Sequence, residues 1–200
     1  MQRRSQAERT QATRALLIRT GRELFAKHGF TGVSAEQLVA AAGVTRGALH
    51  HHFGDKHGLF LAVIEEVVRE NTEEILAAIQ TAPDQWSGIV LGIRRFLDIC
   101  ERPHVVQLAM TDALSVLGWP RWRALEEQYG LGMVTAALQG ALDSGLMKPA
   151  PVQVLAKLVL SAITEAGLVI AHADDRAAAR AEAEEALLTL MAGLMREPPR

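Results

Sequence analysis

Apolar residues recur every three or four positions along most of this chain, which is the spacing of one face of an α-helix. Glycines, prolines and short polar clusters interrupt the pattern and divide the 200 residues into about nine helical segments. Strict alternation of apolar and polar residues, which is typical of half-buried strands, is almost absent. The sequence therefore predicts an all-α fold, with ample length for a hydrophobic core.

The predicted helices can be placed along the chain. After a polar start over residues 1–8, the first helix runs over about 9–28, and Gly29 ends it. Two short helices lie within 34–53, and a long fourth helix begins at Asp55 and Lys56. The remaining five are predicted over about 85–101, 103–114, 119–144, 151–173 and 176–195.

Residues 34–53 contain two short helical patterns separated by a tight turn. Ser34 is a suitable N-cap for the first, and Gln37 completes a capping box. Gly43 stands where a helix can end in a left-handed residue, and Thr45 can cap the second helix. Two short helices joined in this way form a helix-turn-helix, whose second helix can enter a major groove of DNA.

The second helix of this motif has two different faces. At about 100° per residue, one face carries Arg46, Gly47, His50 and His51. The other face carries Leu49 and Phe53, with Ala48 and His52 beside them. The polar face suits a close approach to DNA, and an ordinary helical hairpin with a solvated polar face is the alternative.

A set of anchor residues extends over four successive helical segments, about residues 12–62. They are Leu24-Phe25-Ala26, Gly29-Phe30, Ser34, the run from Ala42 to Leu49, His52-Phe53, Asp55-Lys56 and Leu59-Phe60. In these residues the chain resembles the DNA-binding domain of TetR-family transcriptional regulators. The family usually has Tyr where this chain has His50, and that Tyr typically touches the DNA backbone. A later run, from Val116 to Gly132, resembles one branch of the family and names no ligand.

The resemblance implies a helix-turn-helix domain over residues 1–56 and a helical ligand-binding and dimerisation domain over 57–200. It implies a cytoplasmic, homodimeric and ligand-responsive regulator, most often a repressor, on a pseudo-palindromic operator in double-stranded DNA. No cofactor and no metal are expected. The residues expected to contact DNA are Ser34, Thr45, Arg46, Gly47, Ala48, His50, His51, His52 and Lys56. A cation at a helix start opposes the helix dipole, so Lys56 is expected to meet a phosphate.

The charge distribution agrees with a polyanionic partner for the first part of the chain. Residues 1–56 hold nine basic and four acidic residues, a net of +5, whereas the remainder has a net of −7. A small basic segment can also be merely solvated. The charge therefore supports DNA binding only because it coincides with the helix-turn-helix.

The middle helices are where the family usually keeps a ligand pocket. Polar and aromatic side chains facing an apolar interior, with adaptable Met, suit a small apolar or amphiphilic molecule. The candidates are His104, Gln107, Thr111, Trp119, Trp122, Tyr129 and Met133. The alternative is that they are ordinary core or surface residues. Asp112 is expected to be buried with Arg121 or Arg123, as an ion pair or a pocket anchor.

The last two helices carry broad apolar stripes that predict a four-helix dimer interface with the same helices of a second subunit. The stripes are Leu155, Val159, Ala162, Ile163, Ala166 and Ile170, then Leu187, Leu190, Met191 and Leu194. A purely intramolecular core is the alternative.

Other classes of protein lack support in the sequence. No nucleophile elbow, phosphate-binding loop, dinucleotide fingerprint or His-Glu-x-x-His site occurs, so an enzyme is not expected. Three consecutive His on a helix point about 100° apart and cannot converge on one metal ion. No apolar run reaches the roughly 18–20 residues that span a bilayer, so no membrane partner is expected. An architectural DNA-binding dimer without a ligand remains the main rival to a regulator.

Overall fold

The computed structural model describes residues 6–196. Across these residues the chain forms nine continuous helices and no strand, which confirms the predicted all-α class. They are α1 (Gln6–His28), α2 (Ala35–Ala42), α3 (Arg46–Phe53), α4 (Lys56–Gln80), α5 (Gln85–Cys100), α6 (103–117), α7 (119–143), α8 (Val152–His172) and α9 (Arg176–Leu194). Within the described range, α1 already begins at Gln6, three residues earlier than expected; residues 1–5 of the predicted polar start lie outside that range.

Two helices contain a π-helical segment that the apolar pattern did not predict. In α6 the segment Val106–Asp112 lies between the α-helical Pro103–Val105 and Ala113–Leu117. In α7 the segment Glu127–Leu131 separates Trp119–Glu126 from Gly132–Asp143. Hydrogen bonds in a π-helix join residues five apart, and such segments often occur at functional sites.

The chain divides into two compact units. The first comprises residues 1–67 and 103–120, and the second comprises residues 68–102 and 121–200. The first unit therefore contains α6 in addition to α1–α3 and the first half of α4. The functional boundary at residue 56, taken from the family resemblance, stays a prediction.

The core of the first unit is built around three phenylalanines. The ring of Phe60 meets Phe25 edge-on at a centroid distance of 5.3 Å and Phe30 at 5.0 Å. Further buried side chains come from α1, α2, α3, α4 and α6: Leu17, Leu38, Leu49, Leu59, Val63, Val105 and Leu108. The helix-turn-helix is thus fixed to its neighbours by apolar side chains, as the wheel of α3 predicted for Leu49.

The second unit has its own core, formed by α5, α7, α8 and α9. Leu97, Leu138, Ala156 and Ile170 are among its fully buried side chains. Gly167 permits a close helix approach, because a Cβ there would lie 2.9 Å from the Sγ of Cys100. Burial raises the pKa of the Cys100 thiol to about 12, so the sulfur stays protonated and serves as packing.

The length and composition of helix α8 bear on the expectation of no membrane partner, which stays an expectation. Within the described part of the chain it alone is long and apolar enough to cross a membrane by length and composition, with a mean hydropathy of 1.9 over 18 residues. Lys157 and Glu165 interrupt the apolar residues of this helix, so it contains no uninterrupted apolar run of 18 residues. Its mean hydropathy is nevertheless high. A core helix passes the same test, and Ala156, Leu160 and Ile170 are buried within the second unit.

A candidate nucleic-acid interface

The two short helices of the first unit are capped as the sequence predicted. The Ser34 Oγ accepts a hydrogen bond from the Gln37 N–H over 3.1 Å, and the Gln37 Oε1 accepts one from the Ser34 N–H over 2.7 Å. Gly43 ends α2 with φ 63°, a left-handed conformation that favours glycine. The Thr45 Oγ1 accepts from the Ala48 N–H over 3.2 Å. Because each hydroxyl oxygen serves as acceptor, its proton is still available to a phosphate.

Helix α3 presents the face that the wheel predicted. Leu49 is 2% exposed and anchors the helix. Arg46, Gly47, His50 and His51 are all exposed, whereas Ala48, His52 and Phe53 are half-buried. Exposed polar side chains on one face and a buried leucine on the other are what a recognition helix requires.

Arg46 reaches Glu36 at the start of α2. The Arg46 Nη1 lies 2.7 Å from the Glu36 Oε1, and the two side chains are 76% and 65% exposed. Backbone hydrogen bonding at the start of α2 and the Arg46 charge lower the pKa of Glu36. Ion pairs this exposed are weak, so Arg46 can exchange its carboxylate partner for a base edge at little cost.

His50 is hydrogen-bonded within its own helix end. Its Nδ1 lies 2.6 Å from the carbonyl oxygen of Gly54. A carbonyl oxygen only accepts, so Nδ1 carries the proton and Nε2 is the remaining ring nitrogen. Nε2 accepts a hydrogen bond in the neutral ring and donates one only in the imidazolium.

The other two histidines of the triplet differ in exposure. His51 is exposed, and its ring centroid lies 5.1 Å from that of the half-buried His52. Burial, His51 and Arg14 lower the pKa of His52, which favours its neutral form near pH 7. Among residues 6–196, no group of three His, Cys, Asp or Glu side chains converges in a way that could hold a metal ion.

Lys56 has protein partners that the sequence did not indicate. Its Nζ donates hydrogen bonds to the carbonyl oxygens of Phe30 and Val33, over 3.0 and 2.9 Å. The same ammonium lies 4.0 Å from the centre of the Phe30 ring. Lys56 therefore supports the turn between α1 and α2. No spacing rule links a lysine to carbonyls more than twenty positions earlier.

A groove of about 440 Å³ adjoins the exposed face of α3. It is lined by Ala35, Arg46, Gly47, Leu49, His50, Gly54, Asp55 and Lys56. The lining includes the first residues of α2, α3 and α4, and helix starts carry partial positive charge that attracts phosphate.

The predicted ligand residues on α6 lie in the first unit. His104 and Gln107 are half-buried, and Thr111 is exposed. Asp112 corrects an expectation, because its Oδ2 accepts a hydrogen bond from the Phe30 N–H over 2.8 Å rather than pairing with Arg121 or Arg123. The physical reason is that the helix carrying Asp112 packs on α1 within this unit.

Trp119 is 61% exposed, which differs from the interior position that the sequence predicted for it and for Thr111. As the first residue of α7, directly after Gly118, it begins the helix at the surface. The remaining candidates belong to the second unit: Trp122 is buried, and Tyr129 and Met133 are half-buried. Their role in binding a ligand stays a prediction.

The second unit also holds a buried carboxylate that the sequence analysis missed. Glu126 is 9% exposed, and its Oε1 accepts a hydrogen bond from the Thr164 hydroxyl over 2.7 Å. The Arg123 Nη1 lies 3.2 Å from its Oε2 and also donates to the Ser161 hydroxyl. The spacing of Arg123 and Glu126, three residues apart on one helix, was the available signal.

The capped helix-turn-helix and its basic, exposed face define a DNA-binding protein class. Two family descriptions match the chain: "Bacterial regulatory proteins, tetR family" over residues 17–63 and "Tetracyclin repressor-like, C-terminal domain" over residues 86–194. The chain belongs to the TetR family of transcriptional regulators, as the sequence resemblance indicated.

Individual relatives agree with this assignment. The HTH-type transcriptional repressor AcnR of Corynebacterium glutamicum is 36% identical over 95 residues, which cover 42% of this chain and 50% of AcnR. The chain thus spans about half the length of the curated relatives it matches first. A solved TetR-family regulator from Pectobacterium atrosepticum is 34% identical with a TM-score of 0.87, covering 98% of this chain and all of that one. FadR of Bacillus subtilis, solved with stearoyl-CoA, shares the fold at 16% identity and a TM-score of 0.69, over 86% of this chain and 96% of FadR.

Proposed function

We propose that the protein is a ligand-responsive, sequence-specific regulator that binds a pseudo-palindromic operator as a homodimer and acts as a repressor. The observation that carries this proposal is the geometry of α3. Arg46, Gly47, His50 and His51 are exposed together, while Leu49 on the opposite face is almost completely buried. The relative AcnR is named a transcriptional repressor.

The contacts to DNA divide into base reading and backbone positioning. Arg46 has the long side chain of the exposed face, and its guanidinium would donate two hydrogen bonds to O6 and N7 of a guanine. Gly47 lets the helix approach closely, and Ala48 would touch a thymine methyl group. The proposed contacts to the DNA backbone are the hydroxyls of Ser34 and Thr45 and the rings of His50 and His51. The half-buried His52, beside the exposed face of α3, is a further proposed contact. Lys56 would act mainly by holding the turn after α1.

The homodimer is proposed to form through α8 and α9. Three apolar side chains on α8 remain largely exposed, Val154 at 58%, Leu158 at 63% and Val169 at 50%, and so does Leu190 on α9 at 60%. Leu190 belongs to the predicted stripes, whereas their Ile170, Leu187 and Met191 are buried in the core of the unit. A second copy that covers the exposed residues would remove this apolar surface from water.

The proposed effector is a small apolar or amphiphilic molecule. The candidates for its contacts in the second unit are Trp122, Tyr129 and Met133. The role of His104 and Gln107 in the first unit stays a prediction. A protein of the same fold, FadR of Bacillus subtilis, holds stearoyl-CoA, so an amphiphilic ligand is compatible with this fold. The site of action would be the cytoplasm, where the DNA is.

Gel-shift titration on the DNA upstream of the protein's own gene tests the proposal. We expect a discrete complex that a scrambled duplex of equal length does not form, and whose affinity falls steeply with salt. A panel of fatty acids and acyl-coenzyme A esters is then added to the complex. Release of the DNA by a member of the panel would separate a ligand-responsive regulator from an architectural DNA-binding dimer.

A further inference from the structure

The π-helical segment Val106–Asp112 carries two polar side chains that meet the turn after α1. The Asp112 Oδ2 accepts the hydrogen bond from the Phe30 N–H over 2.8 Å. Gln107 covers the preceding residue, because a Cβ at Gly29 would lie 3.3 Å from the Gln107 Nε2. Both side chains therefore converge on two consecutive residues of the same turn.

The π-helical register allows this convergence. Gln107 and Asp112 are five residues apart, and in an α-helix, at about 100° per residue, they would point roughly 140° apart. In a π-helix residues five apart are joined by a hydrogen bond, so they lie roughly one turn apart on the same face. Conversion of the segment to α-helix with Gln107 held in place would turn Asp112 away from Phe30.

The turn that Asp112 contacts also supports the DNA-binding helices. Phe30 is held at its N–H by Asp112 and at its carbonyl oxygen by the Nζ of Lys56, the first residue of α4. The same ammonium binds the carbonyl oxygen of Val33, directly before the N-cap Ser34 of α2. All these contacts lie within the first compact unit.

We infer that Val106–Asp112 switches between a π-helical and an α-helical hydrogen-bonding pattern, and that this switch controls the DNA-binding face. In the π-helical form Asp112 holds the α1–α2 turn, and conversion to α-helix breaks the hydrogen bond to Phe30 and releases the turn. The inference rests on the proposed function, because it concerns the regulation of that same face. Asp112 is a positioning residue that acts through Phe30 and Lys56. An effector that binds the α-helical form more tightly lowers the affinity for DNA by population shift.

Amide hydrogen exchange of Phe30, followed by NMR on the full chain, tests the contact. Asp112→Ala should accelerate exchange roughly tenfold or more, because it removes a hydrogen bond to a charged acceptor. Asp112→Asn keeps an acceptor oxygen and should give an intermediate rate. The matched control is Ser115→Ala, which removes only a hydroxyl that binds the Asp112 carbonyl oxygen. Unchanged exchange in Asp112→Ala would overturn the inference.

A double variant tests the register. Thr111→Asp combined with Asp112→Ala moves the carboxylate by one position to residue 111, which is exposed in the π-helical segment and shares the face of Gln107 in an α-helix. We expect slow Phe30 exchange in the parent and fast exchange in the double variant. Slow exchange in the double variant would show an α-helical register and overturn the inference.

Affinity for DNA completes the test, with a duplex that the parent selects from a random-sequence library as the probe. Asp112→Ala should bind this duplex about fivefold or more weakly at fixed salt, within the usual range of allosteric coupling, and Ser115→Ala should match the parent. Equal affinity despite faster Phe30 exchange would overturn the regulatory role. A parent that selects no duplex would instead refute the proposed function.

Discussion

Lys56 and Phe30 meet in two ways: the Lys56 Nζ lies 3.0 Å from the Phe30 carbonyl oxygen and 4.0 Å from the centre of the Phe30 ring. A charged hydrogen bond and a cation–π contact at one residue make Lys56 a structural part of the first unit. The phosphate contact that the sequence analysis expected for Lys56 stays a prediction.

Replacement of Lys56 should therefore affect folding. Lys56→Met keeps most of the aliphatic stem and should lower the free energy of unfolding by about 1–2 kcal/mol, because the Phe30 and Val33 carbonyl oxygens lose their donor. Thermal and urea unfolding measure the change. The variant could instead leave stability unaltered and reduce the salt dependence of DNA affinity by about one phosphate contact. That result would show that Lys56 contacts a phosphate, as the sequence analysis expected.

Arg46 is predicted to read one operator position. Arg46→Ala should cost about 1–3 kcal/mol on the selected duplex and relax the preference at one base pair, with little effect on random DNA. Glu36→Gln is the matched control, because it removes the exposed partner of Arg46 while leaving the guanidinium in place. Fluorescence anisotropy measures both. Equal losses on specific and random DNA would make Arg46 a phosphate contact.

The hydrogen bond from His50 to Gly54 predicts the effect of restoring the residue usual in the family. With its Nδ1 bound to the Gly54 carbonyl oxygen, the His50 ring in its neutral form offers a phosphate only an acceptor at Nε2. His50→Tyr supplies a hydroxyl donor at this position, retains every other histidine and should tighten operator binding by about 0.5–1.5 kcal/mol. Operator titrations at fixed pH and ionic strength compare the two proteins. Equal or weaker binding by His50→Tyr would show that a donor at this position does not contribute to DNA binding.

The exposed face of α8 predicts the effect of a single charge on assembly. Leu158→Glu should give monomers in sedimentation velocity, because a dimer would bury an unpaired carboxylate. Since Leu158 is 63% exposed in the chain, helix content should be preserved. Gln153→Glu introduces the same charge at another exposed position of α8 and should remain dimeric. A dimeric Leu158→Glu variant would move the interface elsewhere.

Acid should weaken an ion pair of the second unit. Arg102 binds Glu74 through two hydrogen bonds of 2.8 and 2.6 Å, which hold the pKa of Glu74 below its ordinary value of 4.5. The pair therefore stabilises the fold above about pH 4.5, and this contribution is lost as the pH falls towards the lower folded-state pKa.

Glu74→Gln should reduce the free energy of unfolding by about 0.5–1 kcal/mol at pH 7 and flatten its decline in acid. Urea unfolding at a series of pH values measures both effects. If the parent and the variant lose stability in parallel below pH 4.5, the Glu74 carboxylate does not contribute in the way described.

The parts of the fold that depend on neighbouring residues were predictable from the sequence. The caps at Ser34 and Thr45 and the left-handed Gly43 follow from bonds within three or four positions, and all three were confirmed. The burial of Leu49 followed from the helical wheel in the same way. These features determine the helix-turn-helix, which is why its position could be given closely.

The contacts that join distant segments could not be predicted. Asp112 and Phe30 are 82 positions apart, and a lone carboxylate in an apolar helix suggested an arginine partner rather than a backbone amide. The spacing of apolar residues does not reveal a π-helical segment, so the helix face on which Asp112 lies could not be predicted. The exposure of Trp119 was missed because an aromatic residue at a helix start can face either side.

Sequence-specific recognition by α3 can be tested by selecting bound duplexes from a random-sequence library, in parallel with the parent and with Arg46→Ala. We expect the parent to enrich one pseudo-palindrome, with half-sites centred about 34–36 Å or a multiple of that distance apart. We expect Arg46→Ala to enrich the same motif with one position relaxed in each half-site. A parent that binds the library without enriching any motif would contradict sequence-specific recognition by α3.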